Sequence, residues 1–520
     1  MTRRILLISL ILLAIFAITA CRPESVAPPT TQGAPAEPTQ TSEPLTIKYP
    51  GDDWGYPSPF AFYPRGPGYT RMSFLFDTLV WKDEEGIIPW LAEDWQVSDD
   101  GTAWTFAIRS DVKFQDGEPL TVEDVVFSYA FFKEHMTAFK WNASLEKVKG
   151  VEAVSENGVA ITLKEPFAGF LNDTAGSIPI LPKHIWEDVE DPAKFAEPEA
   201  VIGSGPFTLT DYNREEGRYV YEANEDYFKG RPIIDRLVFV KVSDEALALE
   251  TGTVDAASFW GKEIDVVKEL RSDGTFEVLE GPSFWVLQLV FNTANPPFDK
   301  ANVRQAVAQA IDRQNIVEQV THGGAIVANL GIISPHTDWY NPNLPTYKHD
   351  TAEAKTFFEE QGLTTKPLTL ITTANFAREA EMVKQDLEAV GLAIQLKTGD
   401  RTTVDTLLRE GNFDLAINGH GGIANPSILD TPDWPAATYK NEMYDTLFAQ
   451  QAQAVDQEKR RELVWQLQEL LAEELPILPL YHPRMWLLYD GSKLDTWFYT
   501  AGGMSVGIPI PLNKLAFLPR

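Results

Sequence analysis

Between residues 368 and 417 the apolar positions change period several times. Residues 368–372 form a short β-branched and apolar run that reads as a strand. Ala380, Val383, Leu387 and Val390 then recur at helical spacing up to Gly391, a C-terminal stop, and residues 394–396 return to a strand pattern. A second short helix over 402–409, closed by Gly411, leads into a third strand over 413–417. Strand, helix, strand, helix, strand predicts parallel pairing through right-handed crossovers. Open sheets of this kind take ligands at the carboxyl ends of their strands. The segment that follows here, Asn418-Gly419-His420-Gly421-Gly422, is expected to be a loop whose glycines let the backbone approach something closely.

The first half of the chain alternates strands and helices without a strict repeat. Residues 95–97, 98–102 and 104–109 read as strand, tight turn and alternating strand, and 151–154 with 159–163 as a hairpin around Asn157-Gly158. Thr121 opens a helix through a variant capping box with Asp124 in the Glu/Gln place, and Val125, Val126, Tyr129 and Phe132 supply its buried stripe. Two more helices are expected in the core. Asp299 caps one that presents Val303, Val307, Ala310, Ile311, Val317 and Val320. Asp456 caps another that presents Leu463, Leu467, Leu470 and Leu471 and stops before Pro476.

The N-terminus has a different pattern. Arg3 and Arg4 precede an apolar run over 5–18 broken only by Ser9, too short to span ~30 Å of hydrocarbon as a permanent anchor and read as a secretory signal. It ends in Ile18-Thr19-Ala20-Cys21, which resembles a bacterial lipobox; that resemblance implies cleavage before Cys21, diacylation of its thiol and a tether outside the cytoplasm. Residues 21–44, with Pro23, Pro28, Pro29, Pro35, Pro38 and Pro44 among small polar side chains, read as a linker from the membrane to the folded body.

Composition narrows the chemistry. The 520 residues carry a formal charge of −31, which becomes −33 when the signal takes Arg3 and Arg4 with it, and this repels nucleic acid and anionic lipid headgroups. One cysteine permits neither an internal disulfide nor a multi-cysteine metal site. Gly503-Met504-Ser505-Val506-Gly507 fits a nucleophile elbow, but no histidine follows it and Pro509 and Pro511 prevent the helix it needs, so a serine hydrolase using Ser505 is a distant alternative. Residues 419–424 fit G-x-G-x-x-A, yet Pro426 falls where the phosphate-binding helix would start, which favours a binding loop for another ligand. No two histidines have local metal-ligand spacing. His420, in the glycine run, is a candidate ligand contact against an ordinary surface role. Trp54 and Tyr56 after the first strand, and Phe284 and Trp285 at the start of another, are candidate pocket aromatics against an ordinary core role.

From residue 79 onward several collinear motifs stand together: Leu79-Val80-Trp81, Pro89-Trp90-Leu91-Ala92-Glu93-Asp94-Trp95, Lys113-Phe114-Gln115-Asp116-Gly117, Gly203-Ser204-Gly205-Pro206-Phe207, Asn224-Glu225-Asp226-Tyr227-Phe228, Phe291-Asn292-Thr293 and Pro476-Ile477-Leu478-Pro479-Leu480. They resemble the signature of extracellular solute-binding proteins of family 5, the dipeptide, oligopeptide and nickel binders of ABC importers. The resemblance implies an α/β, two-lobed periplasmic-binding-protein fold (type II, cluster C-like) with an extra subdomain inserted in lobe one. Mapped here, lobe one is expected at 45–80, 200–288 and 490–520, the insertion at 81–199 and lobe two at 289–489. It further implies a monomeric binding protein without catalysis or cofactor, tethered at the outer face of a membrane or in the periplasmic space. The protein is expected to pass a peptide or peptide-like solute to permease subunits, with a nickel or metal-chelate ligand and an oligosaccharide as alternatives. Peptide-binding relatives carry an Asp for the peptide's amino terminus in the loop at 418–426; aligned on Pro426, that place holds Gly422. The candidate ligand residues are therefore Trp54, Tyr56, Phe284, Trp285, His420, Gly421, Gly422 and Asn425, with His420 the metal contact if the ligand is a chelate.

Overall fold

The structure, a computed structural model, describes residues 43–64, 66–139, 143–272, 274–282, 284–363, 367–430, 438–500 and 511–520. The signal over 1–20, Cys21, the linker as far as 42 and the motif around Ser505 lie outside the described residues. The fold is α/β and two-lobed. In the first lobe the strands Thr46–Gly51, Arg236–Lys241, Arg218–Ala223 and Phe207–Asn213 form one sheet in that order, parallel in the first pair and antiparallel in the rest.

A second four-stranded sheet, entirely antiparallel, runs Ala92–Val97, Ala103–Ile108, Gly158–Leu163, Val148–Ser155. Its first turn and its hairpin are the ones the pattern predicts. Asp100 closes the turn by accepting from Ser98 Oγ (2.6 Å) and from Thr102 N (3.1 Å) and Oγ1 (2.8 Å), which holds its carboxyl down at about 2. The helix Val122–Glu134 covers this sheet. Thr121 donates to Asp124 Oδ2 through both its N–H and its hydroxyl, each at 2.8 Å, so the variant box works with Asp.

The second lobe is built on six strands in the order Ala325–Val327, Ile477–Pro483, Trp285–Phe291, Leu415–Gly421, Leu368–Thr373, Ile394–Gly399. Leu368–Thr373 is parallel to both Ile394–Gly399 and Leu415–Gly421, with the helices Ala377–Ala389 and Arg401–Glu410 between, as the alternating periods predict. One expectation is corrected. The helix read as starting at Asp299 is two helices, Ala301–Ala310 with Lys300 at its N-cap and Arg313–Thr321. Ile311 is extended, and Asp312 accepts from the Asn315 N–H at 2.9 Å, so a side-chain cap replaces the backbone bonds that would have continued the first helix. The chain then leaves Ile477–Pro483 directly into Met485–Tyr489, the centre of a small sheet with Ala256–Trp260 and Glu277–Gly281, and so ties the two parts together.

The family-like motifs of the first half converge on one carboxylate. Asp77 is fully buried and accepts from the Trp90 indole N–H (2.7 Å), the Tyr227 hydroxyl (3.1 Å) and Ser204 Oγ (2.9 Å), and it pairs with the fully buried Lys514 ammonium. Lys514 also donates to the Phe76 carbonyl at 3.2 Å and lies 4.0 Å from the Trp81 ring centre. Burial pulls its pKa below the usual lysine value and Asp77 opposes the shift. The two glycines flanking Ser204 sit against the 74–75 backbone: a Cβ on Gly203 would lie 2.1 Å from the Leu75 carbonyl oxygen, and one on Gly205 2.5 Å from the Leu75 carbonyl carbon. Gln115 closes the same loop, its amide donating to the Phe207 carbonyl at 2.7 Å and to the Gly205 carbonyl at 3.2 Å. Asp77→Ala would leave Lys514 charged and uncompensated in the core. We expect it to cost about 3–5 kcal/mol in urea unfolding followed by tryptophan fluorescence; a loss under about 1 kcal/mol would show that the pair is not what fixes this lobe.

Candidate solute-binding site

The glycine run expected as a loop is the end of a strand. Leu415–Gly421 pairs antiparallel with Trp285–Phe291 in a register that sets Gly421 opposite Trp285 and Gly419 opposite Leu287. On that face the Trp285 indole covers both glycines. A Cβ on Gly419 would lie 1.7 Å from Trp285 Cζ3, and one on Gly421 3.0 Å from Nε1. The close approach that the glycines permit is therefore made by Trp285 of the neighbouring strand. Pairing along the whole edge then keeps residues 418–421 extended. Gly422 ends the strand at φ +78°, and its carbonyl accepts from the Asn425 N–H at 3.1 Å.

The remaining sequence-named residues fall in different surroundings. His420 lies on the strand face opposite Gly419 and Gly421, half-buried, and its Nδ1–H donates to the Gly421 carbonyl at 2.7 Å. Phe284 is buried in the second lobe's core. Trp54 donates its backbone N–H to the Tyr219 hydroxyl at 2.7 Å and sets its ring 6.0 Å from that of Tyr63; the Tyr56 ring lies 5.6 Å from Tyr212. Both belong to the first lobe, and neither lines the cavity that Asn425 borders.

That cavity has a volume of about 700 Å³ and lies between the second four-stranded sheet and the second lobe. Lys82, Trp104, Gly169 and Asn172 line one side. His336, Trp339, Asn425 and Arg460 face them from the other. The walls are bonded together behind it: the Ala168 N–H donates to the Ala452 carbonyl at 2.7 Å, and Asn425 Nδ2 donates to Asp173 Oδ1 at 2.9 Å. Asp173 is buried, and that burial raises its pKa, opposed by the amide donors of Asn172 and Asn425 and by the positive charges of Arg460 and Lys82. Arg460 donates from Nε to Gln451 Oε1 at 3.2 Å and sets its guanidinium 4.9 Å from the Trp339 ring centre; burial lowers its pKa to about 10. Of the residues named from sequence, Asn425 is the one that lines this cavity. Lys82, Trp104 and Arg460 escaped because they sit on separate elements, although Lys82 directly follows the Leu79-Val80-Trp81 motif.

A second, more apolar hollow of about 610 Å³ lies on the glycine face, walled by Trp260, Trp285, Phe376 and Tyr481. Nearby, His482 donates from Nδ1 to the Trp285 carbonyl at 3.0 Å, and burial drives its pKa to about 4, so it is neutral at pH 7. Among the described residues no three His, Cys, Asp or Glu side chains converge to hold a metal ion, and no helix is long and apolar enough to cross a membrane.

Comparison with known proteins gives a consistent picture. The family model described as "Bacterial extracellular solute-binding proteins, family 5 Middle" matches residues 86–435. The chain is 30% identical over 441 residues to the probable di/tripeptide-binding protein 5 of Pseudomonas aeruginosa, covering 77% of this chain and 83% of the relative. It is 28% identical over 443 residues to heme-binding protein A of Haemophilus influenzae, covering 77% and 80%. Among solved structures it superposes on NikA from Brucella suis, crystallised with Fe(III)-EDTA, with a TM-score of 0.76 at 22% identity, covering 90% of this chain and 99% of that one.

The Trp285 arrangement is open to a direct check. Gly419→Ala should expel the indole and cost about 1–3 kcal/mol, as overpacking does, whereas in a Trp285→Ala background the same change should cost under about 1 kcal/mol. Equal costs in the two backgrounds, measured as urea midpoints, would show that the glycines do not serve the tryptophan.

Proposed function

The chain belongs to the bacterial extracellular solute-binding proteins of family 5, and from that premise we propose that it captures a peptide or peptide-like solute between its lobes and hands it to the permease subunits of an ABC importer. The observation that carries this reading is the cavity of about 700 Å³ whose two walls come from separate parts of the fold. A solute held there touches both walls only while they are together, so binding favours the closed arrangement by its differential affinity. The volume lies within the usual range of small-molecule sites, and two tryptophans with a few convergent polar groups are the lining such sites use.

The protein is a binding protein and not an enzyme, which removes the hydrolase alternative built on Ser505. The di/tripeptide-binding relative supports the peptide reading. The heme-binding relative, at nearly the same identity, supports a metal chelate as the second reading, with His336 as the imidazole of the cavity that would meet it and His420, outside the cavity lining, as a contact only if the lobes move. In the same proposal Trp54, Tyr56 and Trp285 are aromatic contacts recruited as the lobes move, and Cys21 carries the lipid anchor that keeps the protein, as a monomer, at the outer face of a membrane.

Native mass spectrometry of the full chain, expressed with its own signal and purified from membranes, tests both halves at once. A bound mass matching a short peptide, on a protein that begins at residue 21 with a diacylglyceryl group on Cys21, is the expected result. No bound mass, together with no change in melting temperature on adding short peptides, nickel with histidine, hemin or oligosaccharides, would overturn the receptor reading. An uncleaved or unmodified N-terminus would overturn the anchor alone.

A further inference from the structure

Lys82 ends the short strand Val80–Lys82, which pairs with Ile87–Pro89, and its carbonyl accepts from Asn513 Nδ2 at 2.8 Å. Its main chain is thus fixed while its side chain lines the cavity together with Asn172. Among the described residues its ammonium has no hydrogen-bond acceptor and no carboxylate within 4.0 Å. The charge that acts on it is Asp173, which already accepts from two amides. Burial pulls Lys82 down to about 8, the mark of an ammonium short of compensation.

Beside it Trp104 is 7% exposed and its ring stacks at a tilt 5.2 Å from Phe170; its indole N–H is sealed from solvent, so Trp104 offers the cavity its ring and not a donor. Across the cavity Arg460 is held by an amide, a carbonyl and the Trp339 ring, with no carboxylate in ion-pair range among the described residues. Lys82 is partly exposed and opens on the cavity, where Glu85, Asp338 and Glu458 also stand; none of these carboxylates comes within 4.0 Å of its ammonium, which leaves it able to take an acceptor brought from outside.

We infer that the solute bears a carboxylate and that Lys82 Nζ is its anchor. This rests on the cavity being the solute site. The solute class is then a small peptide, acyl-peptide or other organic acid recognised through its carboxylate, and Lys82 is the residue that sets this specificity.

Isothermal titration calorimetry on the full chain with three probes tests it: Ala-Ala-Ala, N-acetyl-Ala-Ala-Ala, which keeps only the carboxylate, and Ala-Ala-Ala-amide, which keeps only the amine. The wild type should bind the first two alike and the amide about tenfold more weakly or worse. Lys82→Met should weaken both free acids about tenfold and leave the amide unchanged. Lys82→Gln is the second variant should Lys82→Met melt early. Free acid binding equally to wild type and both Lys82 variants, or amide binding as tightly as free acid, overturns the anchor. Binding of hemin or nickel with histidine alone, insensitive to Lys82, overturns the anchor and leaves the receptor reading standing. No binding of any probe, with no co-purified solute, overturns both.

Discussion

A carboxylate sealed from water organises this protein. Asp77 costs free energy to bury, and the cost is offset only if every oxygen lone pair finds a donor in good geometry. Four distant segments supply those donors: Trp90 at the entry to the second sheet, Ser204 between its two constrained glycines, Tyr227, and Lys514 near the end of the chain. The first-half motifs that identify the family are in this sense one structure, since each supplies a partner to Asp77 or holds a segment that does. Five residues on, the same framework sets the binding wall. Trp81 donates to Asn513 Oδ1 at 2.9 Å and lies beneath the Lys514 ammonium, so its strand neighbour Lys82 points to the other side, where the cavity is.

The contacts that join the two walls are few and polar. Besides the Ala168–Ala452 and Asp173–Asn425 bonds, Gln453 donates to Glu165 at 3.1 Å and Val455 packs over Gly101. Nearer the small connecting sheet, Lys262 pairs with the buried Glu379 at 2.8 Å, His322 with Asp265 at 2.6 Å and Arg484 with Glu280 at 2.7 Å. The His322–Asp265 and Arg484–Glu280 pairs are exposed and worth little each, and Lys262 is itself exposed although its partner Glu379 is buried. A seam of such contacts can part and re-form at modest cost, which leaves a solute's own bonds to decide which arrangement prevails.

Much of this was legible in the sequence where the signal was local. The Asp100 turn, the Thr121–Asp124 box, the Asn157-Gly158 hairpin and the parallel crossovers over 368–417 all follow from neighbouring residues. What failed was non-local. A glycine run reads as a loop until Trp285 is known to lie across it, and the helix expected from Asp299 ends where Asp312 makes a competing cap that periodicity does not register. The candidate site was legible at Asn425, through the strand-end rule and the family resemblance, and illegible at Lys82, Trp104 and Arg460. No spacing connects a lysine after a short strand, a tryptophan inside a sheet and an arginine on a helix. Only their convergence on one cavity marks them as a set.

If solute sits between the second sheet and the second lobe, hydrogen exchange of the protein with and without its co-purified solute reports it on both walls. Slowed exchange is expected at residues 82–87, 169–172, 336–339 and 424–426 together, since one ligand must touch both walls. Protection confined to the hollow around Trp260 and Phe376, or on one wall alone, would contradict it.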